Sequence, residues 1–335
     1  MAKIALFEVN EKDKLHIKAR LKNNKLTFFD KPLKIQNLKD IKDIDILVVF
    51  TFSQVNKMVI NRLPKLKFIA TMSTGFDHID LKECKAKGIK VSNVPNYGER
   101  TVAEHTFALM LAIEKNILKS VEHTRKGDFR LEGLMGRDLD GKTIGLLGCG
   151  HIGINVAKIA RGFNMKVIVY DLIKDQKLAK KTGFEYTSMD NVLKNSDFIS
   201  IHVPYNKHTH HLINKNNVKK IKKGAILINT SRGGLIDTDA LIYALDRGIV
   251  AGAGLDVLED ECYILEEKQL LSKELRKSCD LRTVLANNIL LERDNVIVTP
   301  HSAFYTKEAL LRIINTMLDN IVSFTKGKLI NEVKC

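Results

Sequence analysis

Thr143-Ile-Gly-Leu-Leu-Gly148-Cys-Gly150-His151-Ile152-Gly153 is a strand-like apolar run that opens into Gly-x-Gly-x-x-Gly, and a helical pattern, Ile154–Phe163, follows at once. Gly148 permits a tight turn, Gly150 lets a pyrophosphate approach the backbone, and Gly153 lets helix and strand pack closely. The helix start, with His151 and Ile152, supplies free N–H groups and a positive dipole end for phosphates. The next apolar run, Lys166–Tyr170, ends in Asp171. That is the place, about 20 residues on, where a dinucleotide fold puts the acid that accepts ribose hydroxyls. Asp171 repels a 2′-phosphate, and Leu172 and Ile173 offer no arginine to hold one. The expected cofactor is NAD.

Around this motif, strand and helix patterns alternate. Lys3–Glu8, Asp45–Thr51, Phe68–Ser73 and Lys90–Val94 precede it, and Asp197–Val203, Ala225–Thr230, Ala251–Val257 and Asn295–Thr299 follow Lys166–Tyr170. Near-continuous Ile, Leu and Val in several runs mark strands buried on both faces of a parallel sheet. A long amphipathic segment, Thr101–Lys119, predicts one helix, with Thr101 and Glu104 as a capping box. Lys307–Lys326 predicts another. Alternation of this kind implies α/β architecture.

Composition excludes other classes. The 335 residues are 44% apolar and 28% charged, which suits two ordinary domains and not a disordered chain. No apolar stretch approaches the roughly 18 residues of a membrane span, and the start, Met-Ala-Lys, shows no signal-peptide region. The five cysteines are scattered and never form Cys-x-x-Cys. They read as reduced thiols of a cytoplasmic protein with no metal site. The net charge of +15 is spread along the chain without an arginine-rich, aromatic-interleaved block, so neither nucleic acid nor membrane is an expected partner.

Three further motifs each follow a predicted strand, at the edge where open α/β sheets bind ligands. They are Asn229-Thr-Ser-Arg232-Gly-Gly, Gly254-Leu-Asp256-Val-Leu-Glu259-Asp-Glu261 and Thr299-Pro-His301-Ser-Ala-Phe304. With Ser73-Thr-Gly-Phe-Asp-His-Ile-Asp80, they make the chain resemble the D-isomer-specific 2-hydroxyacid dehydrogenases over nearly its whole length. Thr299–Thr306 and Asn93-Val-Pro-Asn-Tyr97 are most similar to the D-lactate dehydrogenase branch.

The resemblance implies a catalytic trio of Arg232, Glu261 and His301. A guanidinium can grip the carboxylate of a 2-oxo acid and polarise its ketone. An imidazole can protonate the ketone oxygen as hydride arrives. A carboxylate can orient that imidazole and favour its charged form. The family's spacing from Asp256 favours Glu261 over Glu259. The resemblance also implies cofactor contacts from Val203, Pro204, Thr209, Thr230, Ser231 and Asp256, although the lactate branch has Asn where Thr209 stands. It implies substrate contacts from the backbone of Thr74 and Gly75 and from Tyr97, with Phe50 and Phe304 as pocket walls.

The fold so implied has two doubly wound parallel-sheet domains. A flavodoxin-like substrate domain comprises residues 1–99 and 300–335, and a Rossmann NAD-binding domain comprises 100–299. The cleft between them is expected to close on substrate and exclude water. Thr101–Lys119 resembles the element through which the family forms homodimers. The stretch Cys262–Arg293 is longer than the family pattern and has helical spacing around Leu270–Leu285. The leading expectation is NAD-dependent reduction of pyruvate to D-lactate. Glyoxylate, hydroxypyruvate or branched 2-oxo acid reduction are the alternatives, with a non-enzymatic, corepressor-like NAD sensor as a distant third.

Overall fold

Short runs of Ile, Leu and Val buried on both faces are stable only inside parallel sheets, and the chain builds two of these. The computed structural model describes residues 1–259 and 281–334. Its two units are Met1–Tyr97 with Thr306–Cys335, and Gly98–Tyr305.

The first unit holds β1 (Lys3–Leu6), β2 (Lys25–Phe28), β3 (Ile46–Val49), β4 (Phe68–Thr71) and β5 (Lys90–Ser92), in the order β2-β1-β3-β4-β5. All neighbours are parallel. This is the flavodoxin-like order, whose direction reverses between β1 and β3. Strand β2, absent from the sequence reading, is an edge strand of Lys-Leu-Thr-Phe with no fully buried residue. The helix Lys307–Thr325 returns to this unit. It is capped by Thr306, whose Oγ1 accepts from Ala309 N at 3.2 Å. It buries Ile313, Ile314, Met317, Leu318 and Ile321, and Phe324 stacks on Phe68 of β4 with centroids 4.3 Å apart.

The second unit holds β6 (Thr143–Leu147), β7 (Lys166–Tyr170), β8 (Glu185–Tyr186), β9 (Phe198–Ile201), β10 (Ala225–Asn229), β11 (Val250–Leu255) and β12 (Val296–Val298). The order is β8-β7-β6-β9-β10-β11-β12, all parallel. This is a Rossmann sheet with its switch point between β6 and β9. The boundary at Tyr305 places His301 and Phe304 in this unit, with the sheet, rather than with the helix that follows.

The long helix differs from expectation. It starts at Glu99, behind a Gly98 that makes no side-chain cap, and Thr101 is buried within its first turn. It ends at Glu114. Asn116 adopts a left-handed conformation with φ 49°, and a second helix runs from Ile117 to Arg125. Asn116 Nδ2 donates to the carbonyls of Leu134 (3.3 Å) and Met135 (3.2 Å), contacts that a continuous helix does not require. Asn tolerates this region of φ better than most residues. Of the long stretch Cys262–Arg293, the helix Leu281–Leu291 is described. Residues 262–280 lie outside the described residues.

One buried amide ties the first unit together. Asn320 is 0% exposed, its Nδ2 donates to Asn93 O at 2.8 Å, and its Oδ1 accepts from Asn331 Nδ2 at 2.8 Å. Asn93 Nδ2 in turn donates to Thr74 O at 2.8 Å. Asn320→Leu leaves two half-buried partners, Asn93 O and Asn331 Nδ2, unsatisfied and is expected to destabilise the unit by about 2 kcal/mol. A melting temperature equal to wild type would show that the amide carries no such weight.

Candidate active site

The Gly-rich turn follows β6 at the switch point. Gly148 has φ +94°, and a Cβ there would lie 2.8 Å from the carbonyl carbon of His202 and from Val203 Cγ1. Gly153 packs against Gly148, with only 2.5 Å available between an added Cβ and Gly148 O. A Cβ on Gly150 would meet no protein atom within 4 Å, so the turn is open where a ligand's phosphates would approach. The helix His151–Gly162 starts at Gly150 with no side-chain cap, which leaves its first N–H groups for an anion.

Asp171 Oδ2 accepts from Cys149 N at 2.7 Å and Oδ1 from Ile173 N at 2.9 Å, binding the turn to the end of β7. A carboxylate has about four lone-pair positions, so capacity for ribose hydroxyls remains. These residues fit a dinucleotide. Burial, with the Asp171 charge added, pushes the Cys149 thiol up to about 12, so it is inert. His202 Nε2 meets Ser200 Oγ at 2.8 Å, and burial pushes the imidazole down to about 3, neutral at working pH.

Two polar residues organise the opposite side of the switch point. Asn229 ends β10 and is 0% exposed. Its Nδ2 donates to Arg232 O at 2.9 Å and its Oδ1 accepts from Ser231 N at 3.1 Å, which fixes the short loop that presents Arg232. Asp256, 1% exposed, follows β11. Its backbone O accepts from His301 N at 2.9 Å. Its Oδ1 accepts from Thr299 Oγ1 (2.5 Å) and Ser302 N (2.9 Å), and its Oδ2 from Ala303 N (2.9 Å). Three consecutive N–H groups, those of His301, Ser302 and Ala303, are therefore held by one residue. His301 sits among them at φ 51°. Asp256 N donates to Asn229 O at 2.9 Å, which joins the two devices. Burial pushes the Asp256 carboxyl up, but donors from His105, Thr299, Ala303 and Ser302 outweigh it and hold the group below its ordinary value.

The other expected residues divide in two. Thr230 Oγ1 pairs with Thr106 Oγ1 at 3.2 Å, and Ser231 Oγ donates to Ile201 O at 2.8 Å. Thr209 Oγ1 donates to Pro204 O at 2.7 Å and accepts from Asn206 N at 2.8 Å, closing the turn that follows Val203 and Pro204. The Ser231 and Thr209 hydroxyls hold backbone, and that of Thr230 meets a side chain. Glu259 is likewise engaged, by Thr238 N, Thr238 Oγ1 and His211 Nε2. Glu261 lies outside the described residues.

In the first unit the expected substrate residues follow the C-terminal ends of β3, β4 and β5. Thr74 Oγ1 turns inward to Val94 O at 2.8 Å, while within the described residues the N–H groups of Thr74 and Gly75 make no hydrogen bond. The Tyr97 carbonyl accepts from Arg312 Nε at 2.7 Å. Phe50 N donates to the Glu8 carboxylate at 3.0 Å, as does Phe52 N at 3.2 Å and the Ser53 hydroxyl. Glu8 itself is left-handed at φ 59°. Burial raises its carboxyl above the ordinary value against the lowering effect of those donors.

Residues 107–303 match the model of the D-isomer specific 2-hydroxyacid dehydrogenase NAD-binding domain. The chain belongs to the D-isomer-specific 2-hydroxyacid dehydrogenase family. A glyoxylate reductase of Thermococcus litoralis is 35% identical, covering 95% of each chain. A D-lactate dehydrogenase structure from Aquifex aeolicus, complexed with NAD and lactic acid, is 38% identical. The match to it has a TM-score of 0.85 and covers 97% of this chain and 96% of that one. A pyruvate reductase of Chlamydomonas reinhardtii is 33% identical with a TM-score of 0.86, over 98% and 97%.

The dehydrogenase is thus an NAD-dependent D-2-hydroxyacid enzyme. No described helix is long and apolar enough to cross a membrane. The sequence did not mark Asn229, Thr299 and His105 as supports of the Arg232 loop and the His301 turn, nor Glu8 as the support of the Phe50 loop. Asn229 and Thr299 stood inside quoted motifs, but nothing in their spacing told which backbone groups they hold. The Asp171→Ala dehydrogenase is expected to lose at least about tenfold of its NADH-over-NADPH preference, the equivalent of 1.4 kcal/mol. An unchanged ratio of kcat/KM values would remove Asp171 from cofactor choice.

Proposed function

We propose that the enzyme reduces a small 2-oxo acid to the D-2-hydroxy acid, with pyruvate and D-lactate as the leading pair. The supporting observation is the joined pair of clamps, Asn229 on the Arg232 loop and Asp256 on the His301 turn. In this reading a guanidinium after β10 and an imidazole after β12, on either side of β11, serve the same edge of the sheet.

In this reading Arg232 takes the substrate carboxylate and polarises the ketone oxygen. His301 gives its proton to that oxygen, and takes it back in the reverse direction. Glu261 orients the imidazole. The nicotinamide supplies the hydride. Gly148, Gly150, His151, Ile152 and Gly153 hold the pyrophosphate and Asp171 the ribose, with Val203, Pro204, Thr209, Thr230 and Ser231 alongside. Asp256, whose carboxylate oxygens are committed to the His301 turn, holds that turn rather than the cofactor. The backbone N–H groups of Thr74 and Gly75 and the Tyr97 hydroxyl meet the substrate carboxylate, and Phe50 and Phe304 limit its side chain. The name of the Thermococcus relative favours glyoxylate as the second reading.

NADH consumption with pyruvate, glyoxylate, hydroxypyruvate and 2-oxoisocaproate at matched concentrations tests the substrate. Pyruvate is expected to give the highest kcat/KM and a D product; another acid in the lead would move the pocket assignment to Phe50, Tyr97 and Phe304. His301→Ala is expected to lower kcat by about 10²–10⁴-fold. Wild-type turnover in that variant would take His301 out of the reaction.

We also propose a homodimer in a reducing, cytoplasmic setting. Ile117, Leu118 and Val121 on the helix after Asn116, and Phe129, Leu131 and Met135 beyond it, are 41–92% exposed, an apolar area that a second copy can cover. Cys84 and Cys149 are buried thiols. Light scattering is expected to give twice the chain mass for the wild type and the chain mass for Leu118→Lys. A monomeric wild type refutes the dimer.

A further inference from the structure

The helix Glu99–Glu114 contributes none of the expected site residues, yet it brings one polar side chain to the His301 turn. The helix lies close on β11, for a Cβ on Gly254 would come within 2.9 Å of Leu109 Cβ. Leu109 is one helical turn after His105, and Asp256 is two residues after Gly254. The packing that seats Leu109 on Gly254 therefore brings His105 over Asp256. His105 Nε2 lies 3.0 Å from Thr299 Oγ1 and 3.4 Å from Asp256 Oδ1.

The donors can be assigned. Thr299 has one hydroxyl proton and gives it to Asp256 Oδ1. Its oxygen can then only accept from His105, so Nε2 carries a hydrogen. Asp256 Oδ1 thus faces the Thr299 hydroxyl, the Ser302 N–H and the His105 N–H, while Oδ2 has the Ala303 N–H. A buried carboxylate remains charged only while such donors surround it. His301 is left-handed, a conformation uncommon for a residue with a side chain; its N–H is shared between the carbonyls of Asp256 and Thr299, each at 2.9 Å, and the next two N–H groups end on the Asp256 carboxylate.

We propose that His105 is a positioning residue for the dehydrogenase reaction, holding through Thr299 and Asp256 the turn that presents His301. This rests on the proposed role of His301.

The test compares His105→Phe, which keeps a flat ring without the donor, with His105→Gln, whose amide can donate from a similar reach. The Phe variant is expected to lose about 10–100-fold in kcat, the scale of a small misplacement of a catalytic group. Its NADH dissociation constant should stay within about twofold of wild type, because the lost interaction lies in positioning and not in uniform binding. The primary isotope effect on kcat with deuterated NADH should rise as the chemical step becomes slower. The Gln variant should recover most of the loss.

Thr299→Val breaks the same relay from its other end. Its loss and that of His105→Phe should be strongly non-additive in the double variant. If Phe fails to fold, His105→Ala, which also removes the donor, takes its place in this cycle. Wild-type kcat in His105→Phe, equal losses in Phe and Gln, additive losses in the cycle, or a loss confined to NADH affinity would each overturn the proposal. His301→Ala, run in parallel with pyruvate, separates the two claims. If it alone collapses turnover, only the His105 inference fails; if it too is active, the reading of His301 fails with it.

Discussion

Asp256 has almost no contact with water, and every polar atom it carries must find a partner inside the protein. The partners available are the amides of the turn after Thr299, and this requirement shapes the turn. Were the turn to relax, several N–H groups and a charge would be left unpaired at once, a penalty larger than the strain of one left-handed histidine. Asn229 meets the same demand one strand away with a neutral amide. The two are joined by a main-chain bond, so the Arg232 loop and the His301 turn share one support. Side chains on loops gain rigidity this way from the sheet beneath them.

A similar arrangement recurs in the first unit with different chemistry. There Glu8, at the end of β1, bends into a left-handed conformation and collects the amides of Phe50 and Phe52. Thr74 turns its hydroxyl into the protein and so leaves the outward role of its loop to the main chain. Each unit puts polar anchors at the C-terminal ends of its strands, the edge at which open α/β sheets bind ligands.

Much of this was legible in the sequence. Thr143–Leu147 and Lys166–Tyr170 start and stop where their apolar runs do, because a central parallel strand is hidden on both faces and its pattern needs no interpretation. Edge strands gave weaker signals. Lys25–Phe28 mixes polar and apolar residues because it is half in water, and Glu185–Tyr186 is only two residues long. The break at Asn116 was concealed because Ile117, Leu118 and Val121 continue an apolar pattern across it, although the structure leaves those side chains exposed. The order of motifs marked Arg232, His301 and the Gly-rich turn. It did not mark what holds them. That His105 reaches Asp256, or that Glu259 is committed to Thr238 and His211, follows from packing between distant segments.

The first unit is interrupted in sequence. Its sheet is complete by Ser92, yet the helix that covers Phe68 and supplies Asn320 arrives only at the end of the chain. A growing polypeptide emerges N-terminus first. The strands β1–β5 must therefore wait, with one face of β4 uncovered, while the whole of the second unit is made. That second unit is continuous in sequence and owes nothing to the final helix for its strands. Biosynthesis thus favours an order opposite to the numbering, with the nucleotide-binding unit closing its core first and the N-terminal sheet last.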